Sequence, residues 1–131
     1  MSGNVVLDTN IVIALLRRDT DVVKRVGQQS TVAIPIVVAG ELYYGALRSQ
    51  RPMQNVTIVD AFLSGSSVLV PDEETAKQYG TVKSQLARKG RPIPENDVWI
   101  AALALQHGLT VVSRDAHFSE VDGLSLESWL P

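Results

Sequence analysis

Short, continuous apolar runs alternate along the chain with longer stretches in which apolar residues recur every three or four positions. Val5-Val6-Leu7, Thr31-Val32-Ala33-Ile34, Ser67-Val68-Leu69-Val70 and Thr110-Val111-Val112 each read as a strand, and Leu124-Ser125-Leu126 as a weaker fifth. A strand with one wet face alternates apolar and polar residues. These runs do not, so both faces are covered, as in a parallel sheet.

Helical patterns fill the intervals. Ile11, Ala14 and Leu15 share one face after Asp8, and Thr20 and Asp21 open a helix carrying Val22, Val23 and Val26. A helix runs from about Val37 to Leu47, and another crosses Val56, Val59, Ala61 and Phe62. Asp72-Glu73-Glu74 places acid where a helix dipole favours it, and that helix continues through Tyr79, Val82 and Leu86 to Gly90. The clearest helix starts at Pro94 or Asn96. It sets Val98, Ala101, Ala102 and Leu105 on one face and ends at His107, before Gly108. The alternation predicts an α/β layered domain around a parallel sheet, with exposed loops at 48–52 and 90–94. A length of 131 residues suits one domain, spanning 1–131.

Composition narrows the chemistry. The chain has no cysteine, which excludes disulfide scaffolds, thiol nucleophiles and cysteine zinc sites. Two histidines, His107 and His117, are too few for a histidine-built metal site, so any metal must rely mainly on oxygen. The net charge of −2 argues against a simple polybasic nucleic-acid binder but leaves a nuclease open. Asp8 and Asn10 interrupt the apolar stretch 5–16, no basic cluster precedes it, and no run is long enough for a membrane span. The expected location is the cytosol.

Four acids stand in unusual places. Asp8 and Asp115 each follow a strand at its C-terminal end, where open α/β sheets bind ligands. Asp8 could equally be a helix N-cap and Asp115 a turn residue. Asp97 lies at the start of the most apolar helix, where it either complements the dipole or enters a crevice. Glu41 lies mid-helix in an apolar segment. It faces solvent, pairs with Arg48, or faces a shared polar cavity, because an unpaired buried carboxylate is costly. Brought together, these four would repel one another unless a divalent cation intervened. An all-oxygen set points to Mg2+ or Mn2+, ions suited to phosphodiester hydrolysis.

The segments Leu7-Asp8-Thr9-Asn10, Glu41-Leu42-Tyr43-Tyr44-Gly45-Ala46, Asn96-Asp97-Val98-Trp99-Ile100-Ala101-Ala102 and Ser113-Arg114-Asp115 come in the order and spacing of a PIN domain. The chain resembles the VapC-type toxins of type II toxin–antitoxin pairs over essentially its whole length, including His117-Phe118 and Val121-Asp122-Gly123-Leu124. The resemblance implies a three-layer fold with sheet order 3-2-1-4-5, and a Mg2+- or Mn2+-dependent endoribonuclease acting on RNA. It also implies a VapB-like antitoxin partner and a homodimer, alone or within a larger complex with the antitoxin. Residue by residue, Asp8, Glu41, Asp97 and Asp115 match the family's four acids, which the resemblance makes both catalytic and metal-binding. Thr9, Asn10, Asn96 and Ser113 then support those acids. Ser113 stands where Thr is more usual and can still hydrogen-bond a carboxylate.

Arg88, Lys89 and Arg91 form a basic stretch that reads either as a solvated helix face or as a phosphate-tracking surface. Tyr43, Tyr44, Trp99 and Trp129 read as packing residues that could also stack bases, and His117 reads as structural. Two other functions compete. An aspartate-based phosphatase using Asp8 would want a second acid two residues on, where Asn10 stands. A non-catalytic or DNA-associated binding protein would not need the full acidic set.

Overall fold

The computed structural model describes residues 3–130. Met1, Ser2 and Pro131, the outermost positions of the expected 1–131 domain, lie outside the described residues. Five strands, β1 (Asn4–Leu7), β2 (Thr31–Pro35), β3 (Ser67–Leu69), β4 (Thr110–Val112) and β5 (Leu126–Glu127), form one sheet in the order β3-β2-β1-β4-β5. Every pairing is parallel, as the unbroken apolar runs require. The helices α1 (Thr9–Leu16), α2 (Thr20–Gly27), α3 (Ile36–Leu47), α4 (Pro52–Ser64), α5 (Glu73–Lys89) and α6 (Glu95–His107) flank it.

The fifth strand departs from expectation. It pairs through Leu126 and Glu127 rather than spanning 124–126, because β4 is only three residues long and offers Val111 and Val112 as partners. Leu124 instead packs beside Val121, against the apolar cluster between α5 and α6.

The central strand is sealed: Val5, Val6 and Leu7 are all at most 1% exposed. Burying such a side chain contributes about 1.5–3 kcal/mol. α6 is the most enclosed helix. Ile100 through Ala104 are fully buried, and the run of alanines lets the backbone lie close to its neighbours. That closeness carries Asp97, in the first turn, inside with it.

Helix ends follow their local chemistry. Asp72 accepts from the Thr75 amide at 3.0 Å while the Thr75 hydroxyl accepts from the Asp72 amide at 2.9 Å, a reciprocal cap for α5. Gly90 closes that helix at φ 66°, a conformation that disfavours any side chain with a Cβ. α6 begins at Pro94 with no side-chain cap, so Glu95 and Asp97 meet the positive end of its dipole.

Candidate functional site

Register builds the site. Leu7 of β1 lies beside Val112 of β4, and the Asp8 amide donates to the Val112 carbonyl at 2.9 Å. The two strands therefore release their chains side by side, with Asp8 and Ser113 adjacent. Asp8 is 4% exposed. One of its oxygens accepts from the Thr9 amide at 2.8 Å, so it does cap α1. The other accepts from Ser113 Oγ at 2.6 Å. Cap and site are thus one residue, not alternatives. Ser113 Oγ in turn accepts from the Asp115 amide at 3.0 Å, which fixes the turn leaving β4. Asn10, in the first turn of α1, braces the same turn by donating Nδ2 to Asp115 Oδ2 at 3.3 Å.

Glu41 reaches the site from α3. It is exposed, and it accepts from Thr9 Oγ1 at 2.8 Å. It does not pair with Arg48, whose guanidinium lies 4.9 Å from the Tyr44 ring centroid. Solvent explains why an acid is tolerated in the middle of this helix. Asp97 enters from α6 and pairs with Nε2 of His117, which stands on the 3-10 turn Ala116–Glu120. The His117 ring packs against Phe118, with centroids 5.1 Å apart.

All four acids line one open cavity of about 670 Å3, together with Thr9, Asn10, Asn96, Arg114 and His117. Asn96 is exposed at this cavity, without a hydrogen bond to any of the acids among the described residues. A second cavity of the same volume, bounded by Asp21, Lys24, Arg25 and Glu127, is of mixed charge and gathers no such cluster.

The electrostatics are those of crowded acids, two of which, Asp8 and Asp97, are buried. Burial pushes the Asp97 carboxyl up to about 6, reinforced by the charge of Asp8 and offset in part by His117. Burial also raises Asp8, against the hydrogen bonds from Ser113 and Thr9 that hold it down, with Asp115 adding repulsion. Among the described residues, ligand atoms of Asp97, Asp115 and His117 lie within 4.8 Å of one another. Such a set can hold a divalent cation, which would remove the repulsion.

The sequence undervalued His117 and Arg114. The signal was their place, on either side of Asp115, at a strand exit. The basic stretch is different: none of Arg88, Lys89 and Arg91 lines the carboxylate cavity. Lys89 is engaged elsewhere, donating to Asp122 and to the Glu120 carbonyl, each at 2.7 Å. Of the aromatics, Tyr43 donates its hydroxyl to Asp60, Trp99 stacks on Tyr79 and Trp129 is buried.

Comparison with known proteins is consistent across three levels. Residues 5–124 match the PIN domain. A Haemophilus influenzae protein named ribonuclease VapC2 is 36% identical over 127 residues, covering 95% of this chain and 96% of that protein. A Shigella flexneri protein named tRNA(fMet)-specific endonuclease VapC is also 36% identical, covering 94% of this chain and 96% of its own length. The fold superposes on DNA-bound VapBC from Salmonella typhimurium with a TM-score of 0.90, at 32% identity, covering 99% of this chain and the whole of that one. VapBC2 from Rickettsia felis, bound to a DNA fragment from its promoter, gives 0.87 at 28% identity, covering 95% of this chain and 98% of that one.

Proposed function

This chain belongs to the PIN domain family, in its VapC ribonuclease branch, and on that premise we propose that it is a divalent-metal-dependent endoribonuclease, the toxin of a toxin–antitoxin pair. The observation that carries the metal-site reading is the convergence of Asp8, Glu41, Asp97 and Asp115 on one cavity, where Asp8 and Asp97 are pushed toward protonation by burial and by the neighbouring acids.

The donor set fits Mg2+ or Mn2+: carboxylate oxygens, no thiolate, and a need for positive charge. Asp8 and Asp97 are the principal ligands, with Asp115 and Glu41 completing the site directly or through water. When bound, the cation supplies a Lewis acid for the phosphodiester and lowers the pKa of attacking water. The protein's part is positioning. Ser113 and the Thr9 amide aim Asp8 and counter the burial that favours its protonation, Asn10 sets the Asp115 carboxylate, and Thr9 ties Glu41 to the rim. Arg114, exposed on the cavity wall, stands where a backbone phosphate would arrive.

The partner is a VapB-like antitoxin, a reading supported by the superposition on VapBC from Salmonella typhimurium and VapBC2 from Rickettsia felis, both bound to DNA. A homodimer is supported by Ile36, Tyr44 and Leu47 of α3, which are 42%, 65% and 61% exposed, more apolar surface than a solvated helix needs. No helix of the described residues is long and apolar enough to cross a membrane.

The test is cleavage of RNA by purified protein, with initiator tRNA as first substrate because the Shigella relative is named for it. Wild-type protein should cut with Mg2+ and not with chelator. Asp8→Asn and Asp97→Asn should be inert under both conditions, and wild-type rates in either variant would remove the assignment.

A further inference from the structure

We infer that His117 is itself a ligand of the cation, giving the site one imidazole nitrogen beside its carboxylates and a preference for Mn2+ over Mg2+. The inference rests on the metal-site reading above and concerns a residue that the four-acid pattern does not include.

The geometry points there first. The ring turns Nε2, not its carbon edge, toward the acids, and Nε2 meets the Asp97 carboxylate. A ligand nitrogen of His117 and one oxygen each of Asp97 and Asp115 all lie within 4.8 Å of one another. Ligand atoms bound about 2.0–2.2 Å from one ion are separated by about 3–4 Å. The three groups thus need only small side-chain adjustments to share one ion. Glu41 and Asp8 stand outside this tightest group and close the cavity around it.

The anchoring is that of a held ligand rather than a surface side chain. His117 is 33% exposed at its side chain, and its ring rests against the fully buried Phe118. His117 lies two residues after Asp115 on the 3-10 turn, so one short segment delivers two donor atoms. Asp115 is itself fixed by Ser113 and Asn10.

The alternative is that His117 only balances the charge of Asp97. That role does not account for the ligand nitrogen of His117 lying within 4.8 Å of Asp115 as well as Asp97. Without a cation Nε2 donates its proton to the Asp97 carboxylate, and the tautomer with that proton on Nδ1 would present the Nε2 lone pair to an ion. Imidazole suits transition metals, whereas Mg2+ keeps oxygen and water, so a histidine here tilts selection toward Mn2+.

The experiment is pulsed electron paramagnetic resonance of Mn2+ added to the full chain, with histidine in natural abundance or labelled with 15N. Only two histidines are present, and His107 lies exposed at the far end of α6, so the assignment is direct. The expected result is bound Mn2+ with nitrogen modulation that changes on histidine labelling, persists in His107→Gln and vanishes in His117→Gln. In calorimetry, His117→Gln should weaken Mn2+ binding roughly tenfold and Mg2+ binding less than about threefold. Bound Mn2+ without histidine modulation in the unaltered chain overturns the inference and leaves the carboxylate site standing. No bound Mn2+ at all overturns both readings. The labelling arm needs no variant, so a misfolded substitution cannot obscure the outcome.

Discussion

Replacing Asp97 by asparagine should make the metal-free protein more stable while removing its activity. The residue is 8% exposed, and its carboxyl is pushed from its ordinary 3.8 to about 6 by burial and by Asp8. Keeping it ionised at pH 7.5 therefore costs the native state about 3 kcal/mol. The amide has the same shape and no charge, but it is a weaker partner for His117, which returns part of the gain. A net stabilisation of about 1–2 kcal/mol remains. For 131 residues, at roughly 2.1 cal/mol/K of unfolding entropy each, that raises Tm by about 4–7 °C. The pH dependence is the sharper part. Between 3.8 and about 6 the native state binds the proton more tightly than the unfolded chain, so the wild-type penalty is full above pH 6 and is relieved as pH falls toward 4. Thermal melts in chelator, from pH 4.5 to 7.5, should show the two proteins converging at the acid end. A gap that is absent at pH 7.5, or equally wide at pH 4.5, refutes the account of Asp97 as a carboxylate strained by its surroundings. Saturating Mg2+ or Mn2+ should reverse the order, because only the wild-type site gains binding energy from the ion.

Three further outcomes follow from the same structure. Ser113→Ala removes the 2.6 Å hydrogen bond that counters the burial of Asp8. It should lower kcat/KM at neutral pH about 10–100-fold and move the acid limb of the pH–rate profile upward, and an unmoved profile would contradict that role. Gly90→Ala forces a Cβ into φ 66° at the end of α5 and should cost about 1 kcal/mol in a denaturant melt without changing cleavage. Neutralising Arg88, Lys89 and Arg91 together should leave the salt dependence of RNA binding nearly unchanged, since Lys89 is paired with Asp122 and none of the three lines the cavity.

The strands and helices were legible because burial on both faces leaves a plain mark: Val5-Val6-Leu7 and Thr110-Val111-Val112 cannot alternate when nothing around them is wet. The apolar pattern puts the start of β5 two residues early because an edge strand of two residues has almost no pattern of its own, and Leu124 is drawn to another cluster. The positions of Asp8 and Asp115 at strand exits were readable. Their nearness was not, since it depends on β1 and β4 being neighbours in the sheet. Glu41 left three options that only its contact with Thr9 separates. His117 was the hardest, because the direction of a ring on a 3-10 turn is set by tertiary packing against Phe118, which spacing does not encode. The Lys89–Asp122 pair spans 33 residues and is equally invisible to local pattern.

The hydrogen bond from Ser113 to Asp8 joins residues 105 positions apart. The opening strand and the fourth strand must therefore both be in place before the acids can meet, and contacts of such long range are the slow ones to form. A chain still leaving the ribosome has made Asp8 and Glu41 but has nowhere to gather them. Fragments that stop before Val112 are expected to be inert whatever helix they contain. For a nuclease built this way the topology would act as a delay, because the carboxylate cavity stays incomplete until β4 and the turn that follows it have joined the sheet.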